Sequence, residues 1–492
     1  MSPSLFKNRK LALITSLVFI FLAHSSYIFN GFVWLDHGDI ERSRSLLPLS
    51  RLPVAFFTRF GTTGFYRPLV TVLNSLDFAV YQLNPAGFHL TNVLLHVAVS
   101  YIAAEFLSLL FTLKLREKIL SMLIIGLHPV TALPVGVISY RQELLLALFN
   151  YSSLYFFIKL HQSKKLKTAL VSAVLFLFAL LSKETAILLI PVLIILKYGG
   201  QSVSAGFRNL KLRSYLSYLT ALILYLLLRF FSVPEIWRTS AYLLPLPEAV
   251  GTRLFSIARL IFRLISPFPA NISDSAPVVS LTNPAVLSVS ILMIASFYFL
   301  FRIKIIKNIR LSFILLCLYL LPALNIIPLP RFYSPHYAYL ALPFFTSLII
   351  LLLRFMPSFS ASVIYLWLAI AAFSTFKSGT SFKNDFTLFS PRVALDDNFL
   401  EGHQYLGDYF FRRQQFSLSI RHYRRALQPK NDIIAFVDEG SVMNNLAGVY
   451  FAQKNYSQAE KTLLELSRKP GWQKNPKLLY NLSLIEKLKN SP

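Results

Sequence analysis

The stretch Phe88-His-Leu-Thr-Asn-Val-Leu-Leu-His96-Val-Ala-Val-Ser-Tyr-Ile-Ala-Ala-Glu105-Phe-Leu-Ser-Leu-Leu-Phe-Thr-Leu113 decides the fold. Its 26 residues carry one formal charge, that of Glu105. At about 1.5 Å of rise per residue, a helix of this length outspans the roughly 30 Å of hydrocarbon in a bilayer. Its polar residues are not scattered, because His89, Asn92 and His96 fall at i, i+3 and i+7 on one helical face. Turning that stripe to lipid is costly, so the helix must turn it toward other helices. We read the stripe first as interhelical hydrogen bonding, with ligation or catalysis as the alternative. Such a helix belongs to a bundle.

Working outward, similar apolar runs recur. Spans are expected near 11–29, 88–113, 119–139, 144–158, 168–181, 185–196, 214–231, 284–301, 311–327, 337–353 and 360–376, about eleven in all. The run at 185–196 is short and reads as tilted or partly re-entrant. Lys7, Arg9 and Lys10 precede a long first span with no small-residue cleavage site, which reads as a retained anchor. Hydrophobic residues make up 55% of the 492, charged ones only 14%, and this composition excludes an ordinary soluble domain. The expected class is all-α: a polytopic membrane helical bundle with helical repeats at its C-terminal end.

The net charge of +27 would point to nucleic acid in a soluble protein, but its distribution argues otherwise. Residues 1–376 hold 32 basic and 11 acidic residues, and the basic ones crowd short loops. These loops carry Lys114/Arg116/Lys118, Lys159/Lys164/Lys165/Lys167, Lys197/Arg208/Lys211/Arg213 and Arg302/Lys304/Lys307/Arg310. All fall on one face if the N-terminus is cytoplasmic, as the positive-inside rule requires. No nucleic-acid partner is expected. Asp36, Asp39, Glu41, Asp77, Glu143, Glu184, Glu235, Glu248 and Asp274 map to the opposite, outer face. Carboxylates are costly near lipid, so their gathering there marks the face where chemistry is expected. The lone Cys317 excludes an intramolecular disulfide framework or a cysteine-based metal cluster.

Two parts are expected: 1–376 as the membrane part and 385–492 as an extracytoplasmic helical-repeat part. In the latter, Tyr405-Leu-Gly-Asp-Tyr-Phe-Phe411 through Tyr423-Arg-Arg-Ala-Leu427 has a counterpart in Asn445-Leu-Ala-Gly-Val-Tyr-Phe451 through Asn455-Tyr-Ser-Gln-Ala-Glu460. The pattern resembles the tetratricopeptide repeat, with small residues where paired helices approach and large ones filling between them. Leu406 and Leu446 stand 40 residues apart, which implies an insertion around 431–440 beyond the usual period. The helix at 477–488 reads as a cap.

The first outer loop holds Phe32-Val-Trp-Leu-Asp-His-Gly-Asp-Ile-Glu41 directly after the first span. Asp36 there stands at the membrane surface, placed to take a proton from a hydroxyl nucleophile or merely to cap a short loop helix. Asp36, His37 and Asp39 also offer ligands to a divalent metal, although Asp-x-x-Asp with one His is a sparse set. Outer helix ends carry Arg67 in Tyr-Arg-Pro-Leu, Arg141 in Tyr140-Arg-Gln-Glu143, Lys183 in Ser-Lys-Glu, and Arg331. Cations in such places suit a phosphate, or else serve as interfacial anchors and interhelical ion pairs.

In their common order these motifs, with His128-Pro-Val and Tyr337-Ala-Tyr-Leu340, resemble the transmembrane and tetratricopeptide repeat O-mannosyltransferases and their bacterial relatives. The resemblance covers nearly the whole chain. It implies a GT-C fold and an inverting glycosyltransferase that takes a sugar, mannose by analogy, from a polyprenyl phosphate and gives it to Ser/Thr hydroxyls of an exported protein held by the repeats. Asp36 would be the base, Asp39 and His37 its companions, and Arg67, Arg141, Lys183 and Arg331 the donor-phosphate ligands. No cofactor is implied, and a divalent metal stays open. One departure stands out: the family often has paired Asp in this loop, and here the first is Leu35, so that Asp39 or His37 would have to compensate. Transfer to a glycolipid or polysaccharide is an alternative, as is a non-enzymatic scaffold. A bacterial inner membrane with the repeats in the periplasm is expected, or an ER membrane with the repeats in the lumen. The repeats should then be separable from the sugar-phosphate site.

Overall fold

The computed structural model of the chain describes residues 3–43, 46–61, 64–163, 165–199, 212–233, 244–302, 307–355 and 359–489. Lys164, Arg208, Lys211, Glu235 and Lys304, counted above among the loop charges, lie outside the described residues. Helices dominate. The first part comprises α1 (Pro3–Ala23), α2 (Ser25–Ile28), α3 (Pro68–Tyr81), α4 (Pro85–Phe111), α5 (Leu115–Leu127), α6 (Ala132–Gly136), α7 (Arg141–Ser163) and α8 (Leu166–Ser182). It continues with α9 (Leu189–Gly199), α10 (Leu212–Ser232), α11 (Leu246–Ile265), α12 (Pro284–Arg302), α13 (Lys307–Leu320), α14 (Leu342–Leu353) and α15 (Phe359–Gly379). After these come α16 (Asp385–Leu395), α17 (Leu400–Arg412), α18 (Phe416–Ala426), α19 (Glu439–Ala452), α20 (Tyr456–Ser467) and α21 (Pro476–Lys489).

The protein is an integral membrane protein. Among the described residues, five helical stretches are long and apolar enough to cross a membrane: Pro85–Phe111, Ile138–Leu160, Tyr215–Ser232, Lys307–Leu324 and Ser362–Phe382. The pair Leu115–Leu127 and Pro129–Gly136, bent by 45°, makes a sixth if it is one span. Pro129 accounts for the bend, since it has no N–H to donate and crowds the preceding turn. The runs expected at 168–181, 284–301 and 337–353 are represented by shorter apolar helices, Leu166–Ser182, Pro284–Ser296 and Leu342–Leu353. The short run after Lys183 opens as a 3-10 turn, Glu184–Leu188, and only then becomes α9.

Two helices were not expected. Within the first outer loop, α3 is an apolar helix of 14 residues, too short to read as a span. In α11, Thr252, Ser256, Leu260 and Leu264 recur every four residues and are buried, while Leu246, Phe262 and Ile265 stay exposed. Its arginines hid it from a search for spans.

In the C-terminal part α17 packs on α18, α19 on α20, and α21 on α20. Gly407 lies so close to the Tyr423 ring that a Cβ on it would come within 2.5 Å, which is why a glycine stands at this helix crossing. The two hairpins share a core of Tyr423, Val442, Leu446, Ala459 and Leu463. Phe389, Phe399, Leu406 and Phe410, from α16, α17 and the turn between them, belong instead to the same continuous core as the membrane helices. Between the hairpins, β2 (Ile433–Ile434) pairs antiparallel with β1 (Ala276–Pro277), in the register Ala276 to Ile434 and Pro277 to Ile433.

Candidate functional site

The first loop turns on Trp34, whose backbone adopts φ = 57°, a left-handed conformation rare for a bulky residue. Its ring, fully buried, stacks edge-on against Phe389 and Phe399 and lies under the Arg331 guanidinium, and these contacts hold the strained backbone. The turn sends the next polar side chains three ways. Asp36 points inward, fully buried, and accepts the Ser139 N–H at 2.7 Å and the Val33 N–H at 3.4 Å. Burial lifts its carboxyl to about 7 against the pull of those hydrogen bonds. His37 pairs with Glu41 at 2.5 Å and Asp385 at 2.8 Å. Burial alone would depress the imidazole, but the Asp385 carboxylate outweighs it and holds His37 above its ordinary value. Asp39 faces a cavity of about 410 Å³. The metal triad considered from spacing is thus not assembled, and among the described residues no three His, Cys, Asp or Glu side chains gather as ligands.

The cavity gathers segments far apart in the sequence. Arg67, Lys183 and Arg331 line it with Asp39, and so do Glu143, Glu184 and His336, which the sequence reading had not placed in the site. Each cation already has a carboxylate. Arg67 meets Glu184 at 3.1 Å, Lys183 meets Glu143 at 2.5 Å, and Arg331 grips Glu401 of α17 with contacts of 2.7–3.1 Å. Arg67 nevertheless keeps a buried Nε–H with no hydrogen-bond partner in the protein. Burial, then Lys183, Arg331 and Arg67, hold His336 far below its ordinary value. It is therefore a neutral imidazole, and its 3.5 Å approach to Glu143 is not an ion pair. Burial raises the Asp39 carboxyl to about 6, opposed by the Ser139 hydroxyl and by the charges of Arg67 and Arg331. A carboxylate so poised among cations is chemically able to take a proton near neutral pH.

Two of the candidate residues stand away from the cavity. Asp36, expected as the base, does not line the cavity, because both its oxygens hold backbone N–H groups under Ser139. Arg141 is fully buried and lies outside the cavity: it bonds Asn92 at 3.1 Å, Asn74 at 2.9 Å, the Phe88 carbonyl at 3.2 Å and Asp77 at 2.8 Å. It clamps α3, α4 and α7 together instead of reaching a phosphate. The stripe on α4 is spent in the same way. His89 meets the Gly31 carbonyl at 3.2 Å, Asn92 serves Arg141, and His96 meets the Tyr339 hydroxyl at 2.9 Å and the Gly126 carbonyl at 3.1 Å. The acidic partners could have been found in the motifs themselves, since Glu143 and Glu184 stand beside the quoted Arg141 and Lys183.

The loop that carries Phe60, Phe65 and Arg67 into the cavity also carries Leu52, Phe56 and Phe57 to a separate groove. That groove, about 440 Å³, is closed by Val72 and Leu228 and exposes only apolar surface.

Comparison with known proteins finds relatives over part of the chain. No protein-family model matches the chain. Protein O-mannosyl-transferase TMTC3 of Homo sapiens is 28% identical over 130 residues, 25% of this chain and 14% of that protein. TMTC2 of Homo sapiens is 31% identical over 136 residues, 26% of this chain and 16% of that protein. The chain thus spans about a seventh of the length of the curated relatives it matches. Among solved structures, the mycobacterial arabinofuranosyltransferase AftD overlaps 78% of this chain and 27% of its own, at 15% identity and a TM-score of 0.38. Over about a quarter of its length, then, the chain is similar to the TMTC protein O-mannosyl-transferases, the family its ordered motifs resemble.

Proposed function

We propose that this chain is a membrane glycosyltransferase that moves a sugar, mannose by the resemblance, from a polyprenyl phosphate to Ser/Thr hydroxyls of an exported protein. The observation that carries the reading is the convergence of Asp39, Arg67, Lys183 and Arg331 on one cavity, whose loop 60–67 also leads back to an apolar groove. Asp39 is the base. Its backbone N–H bonds the Leu35 carbonyl at 2.9 Å, so it stands one turn beyond the position where the family's first Asp is replaced by Leu35, and both residues line the cavity.

As the acceptor hydroxyl attacks the sugar C1, Asp39 takes its proton. The C1–O bond to phosphate breaks with inversion, and the electron pair leaves on the polyprenyl phosphate. Arg67 and Lys183 stabilise that charge, and Arg67 Nε–H is a ready donor to it. The isoprenoid chain lies in the apolar groove. The cavity end of the bundle faces the periplasm or ER lumen, and the helical hairpins hold the acceptor polypeptide, raising its local concentration.

Mass spectrometry of exported proteins, with wild-type chain or with variants, tests this. Asp39→Asn should leave a folded, membrane-inserted protein and cut hexose on Ser/Thr by about 10²-fold, the usual worth of a positioned base. Asp36→Asn, which keeps an acceptor for the Ser139 N–H, should cost much less. Full transfer by Asp39→Asn, with all phenotype lost on deleting the hairpins, would establish a scaffold instead.

A further inference from the structure

One wall of the cavity does not come from the membrane helices at all. It is Phe436, in the segment that lengthens the spacing between the two helical hairpins. The segment is fastened at several points. The β1–β2 pair ties 433–434 to 276–277, the Val278 N–H donates to the Asp432 carbonyl at 2.8 Å, and the Phe436 N–H donates to Asp274 Oδ2 at 3.2 Å. Asp274 is itself buried and 4.0 Å from Arg331. The Arg331 guanidinium lies over the Phe436 ring, 5.1 Å from its centroid, and the ring is only half-buried. An aromatic side chain anchored by its backbone, with a cation over its ring and a place in the wall of a polar cavity, is an unusual expense for a surface segment. Nothing in the packing of the hairpins needs it there, since their core is built from other residues.

We infer that Phe436 is a specificity-determining residue of the site: its ring is the platform on which the apolar face of the donor's hexose rests. The inference depends on the donor reading above and adds to it the group that reads the sugar. The cavity's cations and carboxylates can hold a phosphate and hydroxyls, but a pyranose also presents a face of C–H groups, and an aromatic ring is the side chain that covers such a face without immobilising many torsions. Phe436 is also contributed by the part expected to hold the acceptor, so the sugar subsite is complete only when the hairpins are seated on the outer loops.

The test is equilibrium binding by the full chain in detergent micelles, with two probes: polyprenyl-phosphate mannose and the same polyprenyl phosphate without sugar. Phe436→Ala should weaken the sugar-bearing probe by about tenfold, the scale of one aromatic contact, and leave the sugar-free probe unchanged. Phe436→Trp should retain affinity for the sugar-bearing probe, whereas Phe436→Leu, similar in apolar bulk but without a ring face, should behave as Ala does. Equal weakening of both probes by Phe436→Ala, or full affinity in Phe436→Leu, would overturn the platform and leave the ring a structural plug. A wild-type chain that binds neither probe would sink the donor reading and this inference with it, a result distinguishable from loss of sugar discrimination alone.

Discussion

At the scale of single residues, the site is governed by where one turn of backbone sends two carboxylates. Asp36 and Asp39 are both lifted by burial, to about 7 and about 6, but only Asp39 meets the cavity. A base must be ionised to work, so transfer should rise with pH through about 6 and level off above it, and Asp39→Asn should remove that limb from the profile of kcat/KM. The same shift has the opposite effect on the fold. A carboxyl that binds its proton more tightly folded than unfolded contributes stability that is full below the unfolded value near 4 and is lost as pH climbs through 6. Activity and stability should therefore move in opposite directions across this window. A flat rate between pH 5 and 7 would remove Asp39 from the role. Sequence could bring both carboxylates to the outer face, through the clustering of acidic residues opposite the basic loops. It could not rank them, because the ranking depends on the left-handed conformation of Trp34, which long-range packing against Phe389 and Phe399 imposes.

At the scale of elements, α16 ties the first loop to the C-terminal helices. Asn384 caps it through the Thr387 N–H at 3.0 Å, and its first residue, Asp385, reaches back to the first loop. There Asp385 accepts from the Trp34 N–H at 2.9 Å, meets His37 Nε2 at 2.8 Å, and pairs with Arg412 at 2.8 Å. Asp385→Ala would orphan two buried groups of that loop, at roughly 1–3 kcal/mol each. Arg412 is about half exposed, and Arg412→Ala should cost under about 1 kcal/mol. Thermal unfolding of the solubilised protein compares them, and equal losses would show that Asp385 does not hold the loop. The same scale explains what could be read beforehand. Long apolar helices such as α4 and α7 announce themselves by length and by lack of charge. By contrast, α3 is too short and α11 too arginine-rich to register, and it is α3 that supplies Asn74 and Asp77 to Arg141. Without α3 in view, Arg141 and Arg67 look alike in sequence, and only the partners across the bundle separate a clamp from a cavity residue.

Across the whole molecule, charge segregates between two ends. At one, Arg354 pairs with Glu117 at 2.7 Å, and Lys118 pairs with Glu105, among the basic short loops. At the other, the carboxylates and cations of the cavity gather with the hairpins. The repeats looked separable from the site in sequence, because the candidate base and cations all lie within residues 1–376. The structure joins them: Glu401 takes up the Arg331 guanidinium, Phe399 and Leu406 enter the membrane core, and Phe436 closes the cavity. Deleting residues 397–492 would strip a nearly buried arginine of its carboxylate, a loss on the order of 3–5 kcal/mol, and uncover apolar core as well. That truncation should lose binding of polyprenyl-phosphate sugar, not merely acceptor glycosylation. Deleting only 439–492 keeps Glu401 and Phe436 in place, so it should preserve donor binding while glycosylation of a full-length acceptor falls, since the second hairpin and the cap are gone. If the longer deletion bound donor as well as the full chain does, the two parts would be independent after all, and the contacts of Arg331, Glu401 and Phe436 would be packing without consequence for the site.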